Sequence, residues 1–362
     1  MSIFIRELDD QIQTGSTPQL QIFQGGSAER NQLVHELMFR IEVQITNSTG
    51  ATINWTTLDW RRNSYLKSYF RLGANNSAVV HVDNVSLQQL GQLATTVYDG
   101  TLDYSDTEIP SSIAVPSGPS TQIVTLRIPL ALPTVLKCGD DGAVNLSEIG
   151  LQNFNFGAIN VANLTINQIR VRAYARTVPT KVLRIGLYTR IESQICKAPQ
   201  PKDVLQVGAN EKVAYLALVS TDSATPVTNA TFPIISQEGR PLIEGNRLDT
   251  VATIGQFRGE AFYPQGTVSQ TTAVPTEFAP LLVPSPYCKT SELVGGSAIN
   301  CDYTNKTITG GRAFYTLHKF LALDPSQAAI RSGRDLATAE RAVANSGKSY
   351  SADTMQFVPV EF

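Results

Sequence analysis

"RIEVQITNSTGATINW", Arg40 to Trp55, is the stretch whose reading decides the fold. Ile41, Val43 and Ile45 alternate with Arg40, Glu42, Gln44 and Thr46, so one side is apolar and the other polar. That period of two is the repeat of a β-strand with one face on a core and the other toward solvent. Asn47-Ser48-Thr49-Gly50 then breaks the alternation with residue types that tolerate a turn or bulge, and Ile53 and Trp55 resume it. The stretch predicts strand, turn, strand.

The pattern recurs along the chain. Ile169, Val171, Ala173 and Ala175 alternate with Arg170, Arg172, Tyr174 and Arg176, and after a turn at Val178-Pro179-Thr180 the segment "LRIGLYTRIE" repeats it. Val79 to Val85, Val213 to Ser220, Leu248 to Phe257 and Arg312 to Leu323 are further strands by the same criterion, separated by Gly, Pro, Asn and Ser. Pro264 to Pro286 is irregular. Helices are few: residues 3–12 place Ile5, Leu8 and Ile12 at helical spacing, Ser86 caps a short helix toward Tyr98, and Asp324-Pro325 starts another toward Asn345.

A length of 362 residues suits two domains better than one core. "CKAPQPKDVLQVGANE", Cys196 to Glu211, with two prolines and scattered polar residues, is the best connection between them. The expected organisation is an N-terminal arm over 1–15, a first sandwich over 16–196, a linker over 197–211 and a second sandwich over 212–362 ending in a C-terminal arm, "MQFVPVEF". The fold class read from these patterns is all-β, two sandwiches in tandem with a few short helices.

Charged residues make up 17% of the chain, well below the roughly 25% of an ordinary soluble protein. The surface is therefore largely uncharged and polar, which suits either a monomeric β-protein or a surface buried against copies of itself. With 29 basic and 31 acidic residues the net charge of -2 gives no electrostatic drive toward nucleic acid. The start, "MSIFIRELDDQIQTG", lacks the basic and long apolar regions of a secretory signal, and no apolar run reaches the roughly 20 residues that span a bilayer as a helix.

Chemistry-bearing motifs are sparse. Cys138, Cys196, Cys288 and Cys301 form no CxxC pair, and buried thiols are a simpler reading than a bridge between Cys288 and Cys301. His35, His81 and His318 lack metal-ligand spacing. "NSGKS", Asn345 to Ser349, has Ala342 where a phosphate-binding loop needs its first glycine, and "DDGAVNLSE", Asp140 to Glu148, lacks the early carboxylates of a calcium loop. Eight Asn-x-Ser/Thr sequons, at Asn47, Asn54, Asn75, Asn84, Asn145, Asn163, Asn229 and Asn305, reflect a composition rich in Asn and Thr. No catalytic, cofactor-binding or metal-binding set emerges, and the expectation is of a non-enzyme without cofactors. The strongest local charge bias is Arg170, Arg172, Arg176, Arg184 and Arg190, either a solvated outer face or one that meets acidic neighbours, head groups or nucleic acid.

The order of features resembles the double jelly-roll major capsid proteins of tailless icosahedral viruses, especially membrane-containing bacteriophages. The features are an early strand ending in "ITNSTGAT", a mid-domain "TLRIPLAL" from Thr125 to Leu132, the pair "IRVRAYARTVPTKVLRIGLY", and then a second sandwich. The resemblance implies two jelly rolls side by side, a homotrimer of pseudo-hexagonal outline, and a place in the virion shell after synthesis in the host cytoplasm. It further implies neighbouring capsomers and minor capsid or penton proteins as partners, terminal arms near the base beside any internal membrane, no specific nucleic acid, and no catalytic residues. Two other readings stay open. One is a phage spike, fibre or carbohydrate-binding β-sandwich, which would use rings such as Trp55, Trp60, Tyr65 or Tyr69; the other is a β-sandwich hydrolase or metal enzyme.

Overall fold

The protein is described by a computed structural model over residues 4–15, 19–22, 32–72, 77–91, 112–130, 143–179, 187–195, 202–208, 211–220, 234–243, 278–282, 298–304 and 313–322. The strand spanning the opening motif, β3 (Gln32–Asn47), lies in a sheet with β1 (Phe4–Thr14), β8 (Gly118–Pro129) and β11 (Leu164–Pro179). Their order is β1-β11-β3-β8, antiparallel throughout, and the two-residue β9 (Val144–Asn145) pairs with the start of β3.

An eight-stranded sheet is built from β2 (Gln19–Ile22), β5 (Tyr65–Leu72), β6 (Ser77–Ser86), β10 (Ile149–Asn155), β12 (Leu187–Ile195), β14 (Glu211–Ser220), β17 (Phe278–Leu282) and β19 (Ala313–Ala322). Its order is β17-β14-β19-β12-β6-β5-β10-β2. A four-stranded sheet runs β13-β18-β15-β16, from β13 (Lys202–Leu205), β15 (Ile234–Gln237), β16 (Arg240–Ile243) and β18 (Ile299–Asp302). A ribbon pairs β4 (Ile53–Thr56) with β7 (Ser112–Val115), and α1 (Leu58–Asn63) follows β4.

The alternation in the opening stretch does what its period requires. Ile41, Val43 and Ile45 are fully buried, and at about 1.5–3 kcal/mol per buried aliphatic side chain the three contribute roughly 5–9 kcal/mol, an upper figure because unfolded chains already bury some surface. Asn47 ends the strand as a buried polar residue with its needs met: its amide donates to Ala51 O at 2.8 Å and Val115 O at 3.0 Å, while its Oδ1 accepts from Thr49 N at 3.0 Å. Gly50, at φ +77°, takes the left-handed conformation that the turn demands.

Two cores follow. The larger joins the inner face of the first sheet to the β6-β5-β10 half of the eight-stranded sheet, with Phe39 and Phe154 meeting edge-to-face at 5.0 Å between centroids. On the other side, Tyr315 of β19 donates to Asp203 Oδ2 of β13 at 2.7 Å and hydrogen-bonds Tyr303 just beyond β18, all three buried. The eight-stranded sheet is thus a wall of both sandwiches.

Several expectations require correction. The helix expected over 3–12 gives way, from Phe4 on, to a strand: Phe4–Thr14 is β1, hydrogen-bonded to β11. Ile5 and Ile12 are seven apart, which would put them on opposite faces of a regular strand, but a bulge between Glu7 and Asp9 shifts the phase and returns both to one face. The linker expected over 197–211 is not all connection, since Lys202–Leu205 forms β13 with Asp203 and Leu205 facing inward. The stretch read as irregular, 264–286, contains β17, whose Pro280 is tolerated because the strand sits at a sheet edge. Ser86 does cap a helical turn from Leu87: its Oγ accepts from Gln89 N at 3.2 Å, and the Gln89 side chain bonds back to Ser86 N at 3.3 Å. The expected strand over 248–257, the helix from Asp324, the "NSGKS" stretch and the C-terminal arm lie outside the described residues.

Candidate functional site

The outward face of the first sheet is where the described chain concentrates charge. Register places Glu7, Tyr174, Met38 and Arg127 in one row across β1, β11, β3 and β8; Asp10, Arg172, Arg40 and Thr125 in the next; and Ile12, Arg170, Glu42 and Ile123 in the one after. Ile5 stands beside Arg176, which is opposite Glu36.

The arginines of this face are spoken for by acids of the same chain. Arg127 grips Glu36 through both carboxylate oxygens, with Nη2 to Oε2 at 2.8 Å, and Arg176 approaches the same carboxylate at 3.8 Å. Glu36 is only 2% exposed, so its charge depends on these partners. Arg170 forks onto Asp10 in the same way, with Nε to Oδ1 at 2.7 Å, while Arg172 bridges Asp10 at 3.6 Å and Glu42 at 3.8 Å. Arg40 reaches Glu42 at 3.1 Å. The hydrogen bond from Arg170 holds the Asp10 carboxyl below its ordinary value, against a smaller opposing effect of burial, and Asp10 in turn raises Arg170. Of the arginines singled out in the sequence, Arg170, Arg172 and Arg176 are therefore paired in the plane of this sheet and Arg190 elsewhere, with Asp83, Glu192 and Glu211; Arg184 lies outside the described residues.

Pairing of the charges leaves the aliphatic side chains as the prominent feature. Ile5, Ile12 and Ile123 are 68%, 53% and 50% exposed. The polarity of β1 is largely reversed relative to its neighbours: Arg6, Asp9, Gln11 and Gln13 are in register with buried positions of β11, and of its isoleucines and leucine only Leu8, at the bulge, packs against the core. On the second sandwich, Val204 and Ile234 are likewise exposed on the outward side of the four-stranded sheet.

The aromatic residues considered as a ligand platform are elsewhere. Trp55 and Trp60 are buried and meet at 5.6 Å, Trp60 stacks on Phe156 at 5.9 Å, and Phe156 stacks on Phe154 at 5.4 Å. Trp55 and Trp60 are core, which removes them from the carbohydrate-binding reading. Tyr65 and Tyr69 are half-buried on β5. His81 is buried, stacked on Phe70 and hydrogen-bonded to Ser68 at 3.1 Å; His35 lies in a different sheet. Among the described residues no group of three or more His, Cys, Asp or Glu converges as a metal site would. Glu148, considered for calcium, accepts from Asn145 N at 3.0 Å and caps a short turn. Cys301 is buried, and the other three cysteines lie outside the described residues.

No protein-family model matches the sequence, and no curated protein matches it. Solved structures do. The crystal structure of the STIV major capsid protein superposes with a TM-score of 0.53 over 91% of this chain and 99% of that one, at 12% identity. The atomic structure of Sulfolobus Turreted Icosahedral Virus gives 0.54 over 94% and 99%, also at 12% identity. The chain has the double jelly-roll fold. The double jelly roll accounts for the two cores and the near-absence of helices among the described residues, and it bears out the all-β tandem sandwich expected from the alternation. A third match, the major capsid protein P2 from Bacteriophage PM2, has a TM-score of 0.49 over 90% of this chain and 99% of that one, at 8% identity.

Proposed function

We propose that the protein is the structural subunit of an icosahedral virus capsid. The observation that carries this reading is the double jelly-roll fold shared with the STIV major capsid protein over 91% of this chain and 99% of that one. The surface supports it physically. A face whose arginines and carboxylates are already paired leaves no uncompensated partner of those pairs when a neighbour covers it, and its exposed isoleucines gain from being covered. Three copies, each contributing two sandwiches, make a pseudo-hexagonal capsomer. The first sandwich, expected over 16–196, also takes in β1 as an edge strand, while β12 pairs along its length with β19 and β13 joins the four-stranded sheet, so both go with the second sandwich expected over 212–362. Neighbouring capsomers, minor capsid or penton proteins and any internal membrane are the partners at the rim and base. In this role the subunit carries out no turnover and resides in the virion. No described feature favours a carbohydrate-binding module or a hydrolase.

The test is the solution mass by light scattering after size exclusion. Three chains of 39.3 kDa give about 118 kDa, and persistence of that mass on dilution is the expected result. A monodisperse 39.3 kDa species that never assembles overturns the proposal.

A further inference from the structure

Tandem domains in one chain ordinarily meet through modest, polar interfaces and behave semi-independently. Here the seam between the sandwiches is a backbone pairing inside a continuous sheet. β6 of the first half runs parallel to β12, but only Ile191↔Val82 and Glu192↔Asp83 pair, whereas β12 hydrogen-bonds along its whole length to β19. Two residue pairs of parallel ladder make a thin seam, and side chains reinforce it on both faces.

On one face sits the Gln89 amide, buried in the turn that Ser86 caps. Its Oε1 accepts from Ser86 N at 3.3 Å and Ser86 Oγ at 3.0 Å. Its Nε2 donates to Ser193 Oγ at 3.0 Å and Thr316 Oγ1 at 2.9 Å. Ser193 and Thr316 are register partners on β12 and β19, so one amide from the first half spans both strands, with both donors and both lone pairs used. On the other face Arg190 reaches Asp83 of β6 at 3.4 Å, Glu192 of its own strand at 3.4 Å and Glu211 of β14 at 3.9 Å. On the Gln89 side Ile191 and Val82 are fully buried in the core.

We infer that the two sandwiches unfold as one cooperative unit, locked at a polar junction in which Gln89 and Arg190 tie the first half to β12, β14 and β19. The consequence is a fixed angle between the sandwiches before any assembly, and the inference stands whatever the protein's role. Gln89 is suited to the lock because removing it takes a partner from the fully buried Thr316 hydroxyl, and such networks lose more than the sum of their separate bonds.

Hydrogen exchange on the full chain, at one oligomeric state, tests it. Ile41→Ala excavates the first core only and destabilises it by roughly thirtyfold or more in unfolding equilibrium. With the junction intact, the slowest amides of β14 and β19 accelerate by the same factor; with Gln89→Ala and Arg190→Ala added, their acceleration falls below about threefold. If Ile41→Ala alone leaves β14 and β19 unchanged, the halves are independent and the inference is wrong. Undiminished coupling in the junction variant also overturns it, because the lock then lies elsewhere. Should the junction variant not fold, Leu317→Ala in β19, read out at β3 and β11, repeats the first test from the opposite side.

Discussion

Substituting Arg127→Met tests whether the charged face of the first sheet is held by its ion pairs. Arg127 supplies two hydrogen bonds to Glu36, a carboxylate 2% exposed, and methionine replaces the guanidinium with an apolar chain that cannot donate. Removing one partner of a buried pair costs about 3–5 kcal/mol, because the survivor stays buried and uncompensated. Arg176 remains 3.8 Å from the same carboxylate, and the Arg127 side chain is itself slightly exposed, so the cost falls just under that range, about 2–3 kcal/mol. With an unfolding entropy of about 2.1 cal/mol/K per residue, a chain of 362 residues unfolding as one unit loses roughly 3–4 °C of Tm. The assay is differential scanning calorimetry of the variant beside Glu36→Leu/Arg127→Met, which removes both charges together and returns to within about 1 kcal/mol of the parent. A single variant that loses less than about 0.5 kcal/mol, or a double variant no better than the single, refutes the reasoning.

Asp10 ties β1 to β11 with a carboxyl held below its ordinary value of 3.8, chiefly by the Arg170 hydrogen bond. A depressed carboxylate stabilises above its unfolded value and loses that contribution as pH falls through the folded one, so β1 protection, corrected for intrinsic exchange, drops selectively below about pH 3.8, and Asp10→Asn loosens residues 4–14 at neutral pH by roughly fivefold. Gly150→Ala destabilises by about 1–3 kcal/mol in denaturant titration, since a Cβ there meets the Tyr69 carbonyl oxygen at 2.7 Å. Trp60→Ala lowers stability by about 3–5 kcal/mol in the same titration, and a glycan array shows no binding for either form.

The sheet strands were legible where one face is buried, as in Ile41, Val43 and Ile45, because burial on one side imposes the period directly. β1 was not, because Ile5, Leu8 and Ile12 mimic helical spacing once a bulge is counted as an ordinary residue, and because Ile5 and Ile12 face outward while only Leu8, at the bulge, packs against the core. β13 hid its orientation for a related reason: beside Leu205 its other inward residue is Asp203, a carboxylate that accepts a hydrogen bond from a Tyr315 hydroxyl 112 residues away. The charge bias around Arg170 was visible, but its meaning was not. Arg170 pairs with Asp10 across 160 residues and Arg127 with Glu36 across 91, and register of that range is set by folding rather than by local pattern. Trp55 and Trp60 were equally ambiguous, since an aromatic stack in a core and one in a binding loop have the same composition.

The central claim is that this double jelly roll is a shell subunit, and imaging of the purified assembly by electron cryo-microscopy tests it most directly. The account predicts threefold particles of six lobes with a pseudo-hexagonal outline, two lobes from each chain. Isolated two-lobed particles at every concentration examined would contradict it.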